Sequence, residues 1–122
     1  MLVESGAINS IQRSDRNLRA VYRCVKNEVP STKWPPNISN FRRYRGKLSI
    51  SEGVLLYDGA AVVSIGVVTD IILALHSNFA HVGRDKMVDL MRELVWHPSK
   101  LKIISDVCST CLICQLIKDY PI

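Results

Sequence analysis

Two histidines and two cysteines, spaced His-x4-His and Cys-x2-Cys with 29 residues between the pairs, restrict this chain more than any other feature. They are His76, His81, Cys111 and Cys114. Two imidazoles and two thiolates form the compact, moderately soft N/S shell that closes a tetrahedral structural zinc site. Cys-x2-Cys is the more specific half, because one short turn can aim both sulfurs at a single point. The histidines are five positions apart, and five helical steps of about 100° would separate their side chains by about 140°. A helix must therefore end between them. Val67, Val68, Ile71, Ile72 and Leu75 have the spacing of a buried stripe, which predicts a helix from Val67 to Leu75. Ser77 and Asn78 are expected to break it and Gly83 to allow the turn that follows, with His76 on the last helical turn and His81 in a loop. One structural zinc per chain is the expected cofactor.

The same stretch continues as His81-x-Gly83-x2-Lys86, a leucine-rich helix with Leu90, then Trp96 and Pro98, then Asp106-Val107-x3-Cys111-x2-Cys114-Gln115-x2-Lys118. This order resembles the HHCC (H2C2) zinc-binding domain of retroelement and retroviral integrases, most of all the gypsy (Ty3-type) branch, over residues 66–118. It departs from many relatives in placing His97 between the aromatic residue and the proline; His97 is expected at the surface, where the next helix begins. The resemblance implies a module that assembles multimers and engages DNA ends. It also implies that strand transfer belongs to a separate ribonuclease-H-like domain with an Asp, Asp, Glu triad, expected after Lys118, so this chain should be catalytically silent. A host protein derived from such an integrase, retained as a protein-interaction module without DNA binding, is the alternative, and it implies a host protein partner.

At 122 residues, 48% of them hydrophobic, the chain suits one domain or two very small ones. A module of about 50 residues usually needs a staple, and a structural metal supplies one. The opening Met-Leu-Val-Glu-Ser-Gly has no basic start followed by an apolar run, so no secretory signal is expected. The apolar stretch Val62 to Leu75 is interrupted by Ser64, Thr69 and Asp70 and is too short to span a bilayer. These features predict a soluble protein of a reducing compartment, nuclear or cytoplasmic, with no membrane partner. Cys108, Cys111 and Cys114 lie together while Cys24 is remote, which favours metal over disulfides. A cysteine-dependent enzyme using Cys108 or Cys24 is disfavoured, since no glycine-rich oxyanion or phosphate loop accompanies them.

Charge divides the chain. Residues 1–65 hold ten Lys or Arg and five Asp or Glu, whereas residues 66–122 hold six of each, so the net +5 is all N-terminal. The expected fold is α+β: an N-terminal extension over 1–65, an HHCC helical domain of three to four helices over 66–118, and a tail over 119–122. In the extension, Ser14 and Asp15 begin a helix with Leu18, Val21, Tyr22 and Val25 on one face and Arg16, Arg19, Arg23 and Lys26 elsewhere, ending near Glu28. Pro30 to Pro36 reads as a stiff linker in which Trp34 docks on the core. Ser39 starts a short helix through Tyr44, and Leu48–Ile50, Val54–Tyr57 and Ala60–Val63 form a small antiparallel sheet turned at Gly53 and at Asp58-Gly59. Helix, linker and hairpin also resemble the N-terminal extension of gypsy-type integrases.

Arg42, Arg43, Arg45 and Lys47, interleaved with Phe41 and Tyr44, are the candidate DNA-backbone contacts. Asp85 is expected to cap a helix running to Val95 that carries Met87, Val88, Leu90, Met91, Leu94 and Val95. Its apolar surface is wide, which makes Met87, Met91 and Leu94 the candidate interface of a homo-oligomer, a dimer in the simplest case. Pro98 and Ser99 start the last helix, whose stripe of Leu101, Ile104, Val107 and Cys108 places Cys108 in the core rather than on a metal.

Overall fold

The computed structural model describes residues 5–78, 84–92 and 94–111. Six α-helices and one four-stranded sheet make up the architecture of these residues. Helix α1 (Ser5–Ser14), which the sequence reading left out, precedes α2 (Arg16–Lys26). Asp15 starts α2 as predicted, accepting the Leu18 N–H at 2.9 Å, so one donor that a helix start would leave orphaned is satisfied. The proline-rich segment is tighter than an extended linker: Ser31–Lys33 and Pro36–Ile38 are 3-10 turns. Trp34 is buried there, and its indole N–H donates to the Val29 carbonyl at 2.9 Å. A one-turn helix, α3 (Ser39–Arg42), and a 3-10 turn at Arg45–Lys47 lead into the sheet.

Strands β1 (Leu48–Ser51), β2 (Val54–Tyr57) and β3 (Ala60–Val62) form an antiparallel meander. Both connections are two-residue turns with positive φ at each central residue, Glu52-Gly53 and Asp58-Gly59. That is the geometry whose twist matches a right-handed hairpin, and glycine at the second position relieves half of its steric cost. A fourth strand, β4 (Val95–Trp96), pairs parallel with β3, bringing Ala61 opposite Val95 and Val62 opposite Trp96. A parallel neighbour requires a long crossover. Here it is supplied by α4 (Ile65–Asn78) and α5 (Arg84–Met91), after which α6 (Lys100–Thr110) packs on both.

Successive strand residues point to opposite faces, and this alternation joins the interior on both sides of residue 65. Val62 and Trp96 enter a core with Leu18, Val21, Ile38, Phe41 and Leu55, whereas their neighbours Val63 and Val95 enter a second core with Val68, Ile72, Met87, Met91 and Ile104. A smaller cluster seats Ile8 of α1 against Val54 and Ala61. Next to it the β2–β3 ladder stops one pair short, and the buried Gln12 amide takes over. Its Nε2 donates to the carbonyls of Leu55 (2.9 Å) and Val62 (2.7 Å), and its Oε1 accepts the Leu55 N–H (2.9 Å). Three backbone groups that burial would otherwise strand are satisfied by one side chain.

Three expectations are corrected. Helix α4 continues through Ser77 and Asn78 instead of breaking there. Helix α5 ends at Met91, so Leu94 and Val95 lie beyond it and Val95 is in a strand. The Met91 carbonyl accepts the Leu94 N–H at 3.3 Å as the chain turns, and the buried Lys100 donates from Nζ to the carbonyls of both Met91 and Val95 at 3.4 Å. The third concerns His97, which is buried at 7% exposure rather than on the surface. Among the described residues no helix is long and apolar enough to cross a membrane.

Candidate metal centre and basic surfaces

Ser64 opens α4, its Oγ accepting the Val67 N–H at 3.3 Å. The helix turns Val68 and Ile72 inward, with Val67, Ile71 and Leu75 half-buried beside them. His76 lies one turn beyond Ile72 on the same stripe, which is why it is 4% exposed although it occupies the last helical turn. On α6, Ile104 and Cys108 form the inward stripe, and Cys111 is the half-buried residue that caps the helix in extended conformation (φ −76°, ψ 116°). Helices α4 and α6 pack together, and Arg84 at the start of α5 is tied to Ser105 of α6 by a 2.8 Å hydrogen bond.

His76 and Cys111 thus stand at the C-terminal ends of two helices that pack on each other. The other two expected ligands, His81 and Cys114, lie outside the described residues. Among the described residues no three side chains of metal-binding type converge. The donor types that are described suit zinc: the two side chains are an imidazole and a thiol, and no buried carboxylate among the described residues offers the oxygen shell that a harder cation would take. Cys108 is a core residue, as expected. Burial pushes its thiol up, the adjacent Cys111 adds to that rise, and Arg84 opposes it.

These residues fall within the segment 64–120, which matches the family model described as the integrase zinc binding domain. The integrase-type HHCC order of His76, His81, Cys111 and Cys114 lies wholly inside the matched segment, and the zinc-binding part of an integrase is a non-catalytic one. Comparisons with curated proteins and with solved structures find no match to the chain.

The other expected sites lie as follows. Arg42, Arg43, Arg45 and Lys47 are all exposed, spread from the end of α3 over the 3-10 turn, while Phe41 between α3 and the sheet is buried. Arg45 donates to the Arg42 carbonyl at 3.0 Å, and the Arg43 guanidinium lies 5.5 Å from the Tyr44 ring centroid. Met87 and Met91, expected on an available face, are both 0% exposed inside the second core, and Leu94 is half-buried. The breadth of the α5 apolar surface is consumed by α4 and α6. Sequence reading missed Gln12 and the role of His97. Nothing in the local pattern marks Gln12, whereas His97 adjoins Trp96 and shares its aromatic surroundings, with the Phe41 ring 5.8 Å away edge-on.

Proposed function

We propose that this chain is the non-catalytic N-terminal part of a gypsy-type retroelement integrase, or of a host protein derived from one. One zinc held by His76, His81, Cys111 and Cys114 would close its helical module. The observation that carries this reading is the match over 64–120, supported by a buried His76 and a helix-capping Cys111 on two packed helices. Bound there, zinc would link helix ends and add folding free energy. The chain's own residues do the rest: α4 carries His76 on its core stripe, and α6 stops at Cys111, the first residue of the Cys-x2-Cys pair.

The DNA part of the reading is supported by charge. A net +5 confined to residues 1–65 favours contact with phosphates through the extension, Arg42, Arg43, Arg45 and Lys47 included, in a manner set by salt rather than base sequence. Assembly with a second copy is the remaining part. Since Met87 and Met91 are core residues, the surface proposed for pairing shifts to Ile65, Leu73 and Leu101, the large apolar side chains left exposed among the described residues.

The metal is tested directly. Structural zinc contributes roughly 10 kcal/mol or more to small modules at neutral pH, which exceeds the stability of many whole domains. We expect one zinc per chain by elemental analysis, and loss of helicity on chelation. Full helicity and an unchanged melting temperature in a Cys111→Ser, Cys114→Ser protein would refute the zinc assignment.

A further inference from the structure

A cleft of about 470 Å³ separates α1 from α2, with Gly53 of the β1–β2 turn at its margin. Its charged lining is entirely cationic: Arg13 from the end of α1, and Arg19, Arg23 and Lys26 from α2. All four side chains are exposed, and none takes part in an ion pair among the described residues. Of the nearby carboxylates, Asp15 is engaged in capping α2, and Glu28 and Glu52 lie outside the lining. Arg19 donates from one guanidinium nitrogen to the Arg13 carbonyl at 3.0 Å, which fixes it over the end of α1 and leaves most of its five N–H donors directed elsewhere.

We propose that this cleft and the adjoining face of α2 bind the phosphodiester backbone of duplex DNA. At about 100° per residue, Arg16, Arg19, Arg23 and Lys26 fall within an arc of about 80° on α2. The stripe is about 15 Å long at 1.5 Å per residue. One strand of duplex DNA presents a phosphate about every 3.4 Å of axis while winding around it, so a stripe of this length meets more than one phosphate of the backbone. A line of charge fits an extended polyanion better than one compact phosphate. The polar groups beside it are unsuited to reading bases: all of Gln12's amide contacts go to Leu55 and Val62, and the Asn9 Nδ2 donates to the Gly53 carbonyl at 2.8 Å. Recognition here is therefore electrostatic and independent of sequence. The Arg42 to Lys47 cluster lies outside this cleft. The inference rests on the DNA-engaging part of the function proposed above and assigns it a second, distinct surface.

The test is fluorescence anisotropy of the full chain on two labelled duplexes of unrelated sequence across a salt series. Arg19→Gln, Arg23→Gln and Lys26→Gln together should reduce the slope of log affinity against log salt by about 2.7 units, at about 0.9 per phosphate, equally for both duplexes. Zinc content and melting temperature should stay as in the parent chain. An unchanged slope and affinity overturn the proposal. So does a loss of binding confined to a variant lacking Arg42, Arg43, Arg45 and Lys47, which would leave the function reading intact. A zinc-loaded chain that binds no duplex at all overturns both the cleft and the DNA part of that reading, with the zinc module standing. Arg19→Lys with Arg23→Lys conserves charge and should preserve the slope; equal loss of binding there, at the parent's melting temperature, would overturn the electrostatic assignment.

Discussion

Protonating His97 costs more in the folded chain than in the unfolded one. Its Nδ1 accepts the Ser99 N–H at 3.1 Å, a bond that the doubly protonated ring cannot accept. Burial holds the imidazole below its usual range, with the Asp15 carboxylate opposing. A histidine depressed on folding binds fewer protons folded than unfolded at mildly acidic pH, so its contribution is present above about pH 6.5 and declines as pH falls below that value. We expect the parent chain to lose melting temperature more steeply than His97→Gln below neutrality; parallel pH profiles, measured with zinc content monitored in both, would refute this. The same position shows what residue-level reading can miss. Next to Trp96 and Pro98 it has the polarity of a helix-start surface residue, and the Phe41 ring that meets it edge-on comes from more than fifty positions earlier. His76 was legible because the core stripe that buries it is local, whereas Gln12 was not, because the backbone groups it satisfies belong to Leu55 and Val62.

Among the elements, helical periodicity survived in α2, α4 and α6, and the turn residues Gly53 and Asp58-Gly59 located the meander closely. What failed was the stretch from Met87 to Val95, whose apolar spacing continues the helical period past the real end of α5. Val95 pairs with Ala61 in the sheet instead, and Lys100 bridges the Met91 and Val95 carbonyls; both are tertiary facts. Strand β4 is only two residues long, yet Trp96 is stacked on Tyr57 with centroids 3.9 Å apart and meets Tyr44 and Phe41 edge-on. Such contacts add to the area that the indole buries. Trp96→Ala should cost about 3–5 kcal/mol. Denaturant unfolding would detect it, and a loss below about 1 kcal/mol would mean that β4 contributes little.

At the scale of the whole molecule, the chain's charge asymmetry suggested a division at residue 65, with all four proposed zinc ligands on one side of it. The interior does not follow that line, since Val62 and Val63 enter different cores and β4 returns to the sheet from beyond α5. Self-association, if it uses Ile65, Leu73 and Leu101, should yield a dimer whose mass by light scattering falls toward 13.7 kDa in a Leu73→Glu, Leu101→Glu protein that keeps its zinc. A parent chain that stays at 13.7 kDa to high micromolar concentration excludes stable pairing. The parallel β3–β4 pairing has a further consequence for handling the chain in parts. A fragment ending at residue 65 would uncover the side of β3 that β4 occupies, presenting Ala60, Ala61 and Val62 as a short uncharged edge with unsatisfied backbone donors and acceptors. No lysine, proline or bulge on those three residues guards it, so the returning strand serves as the chain's protection against joining sheets edge to edge.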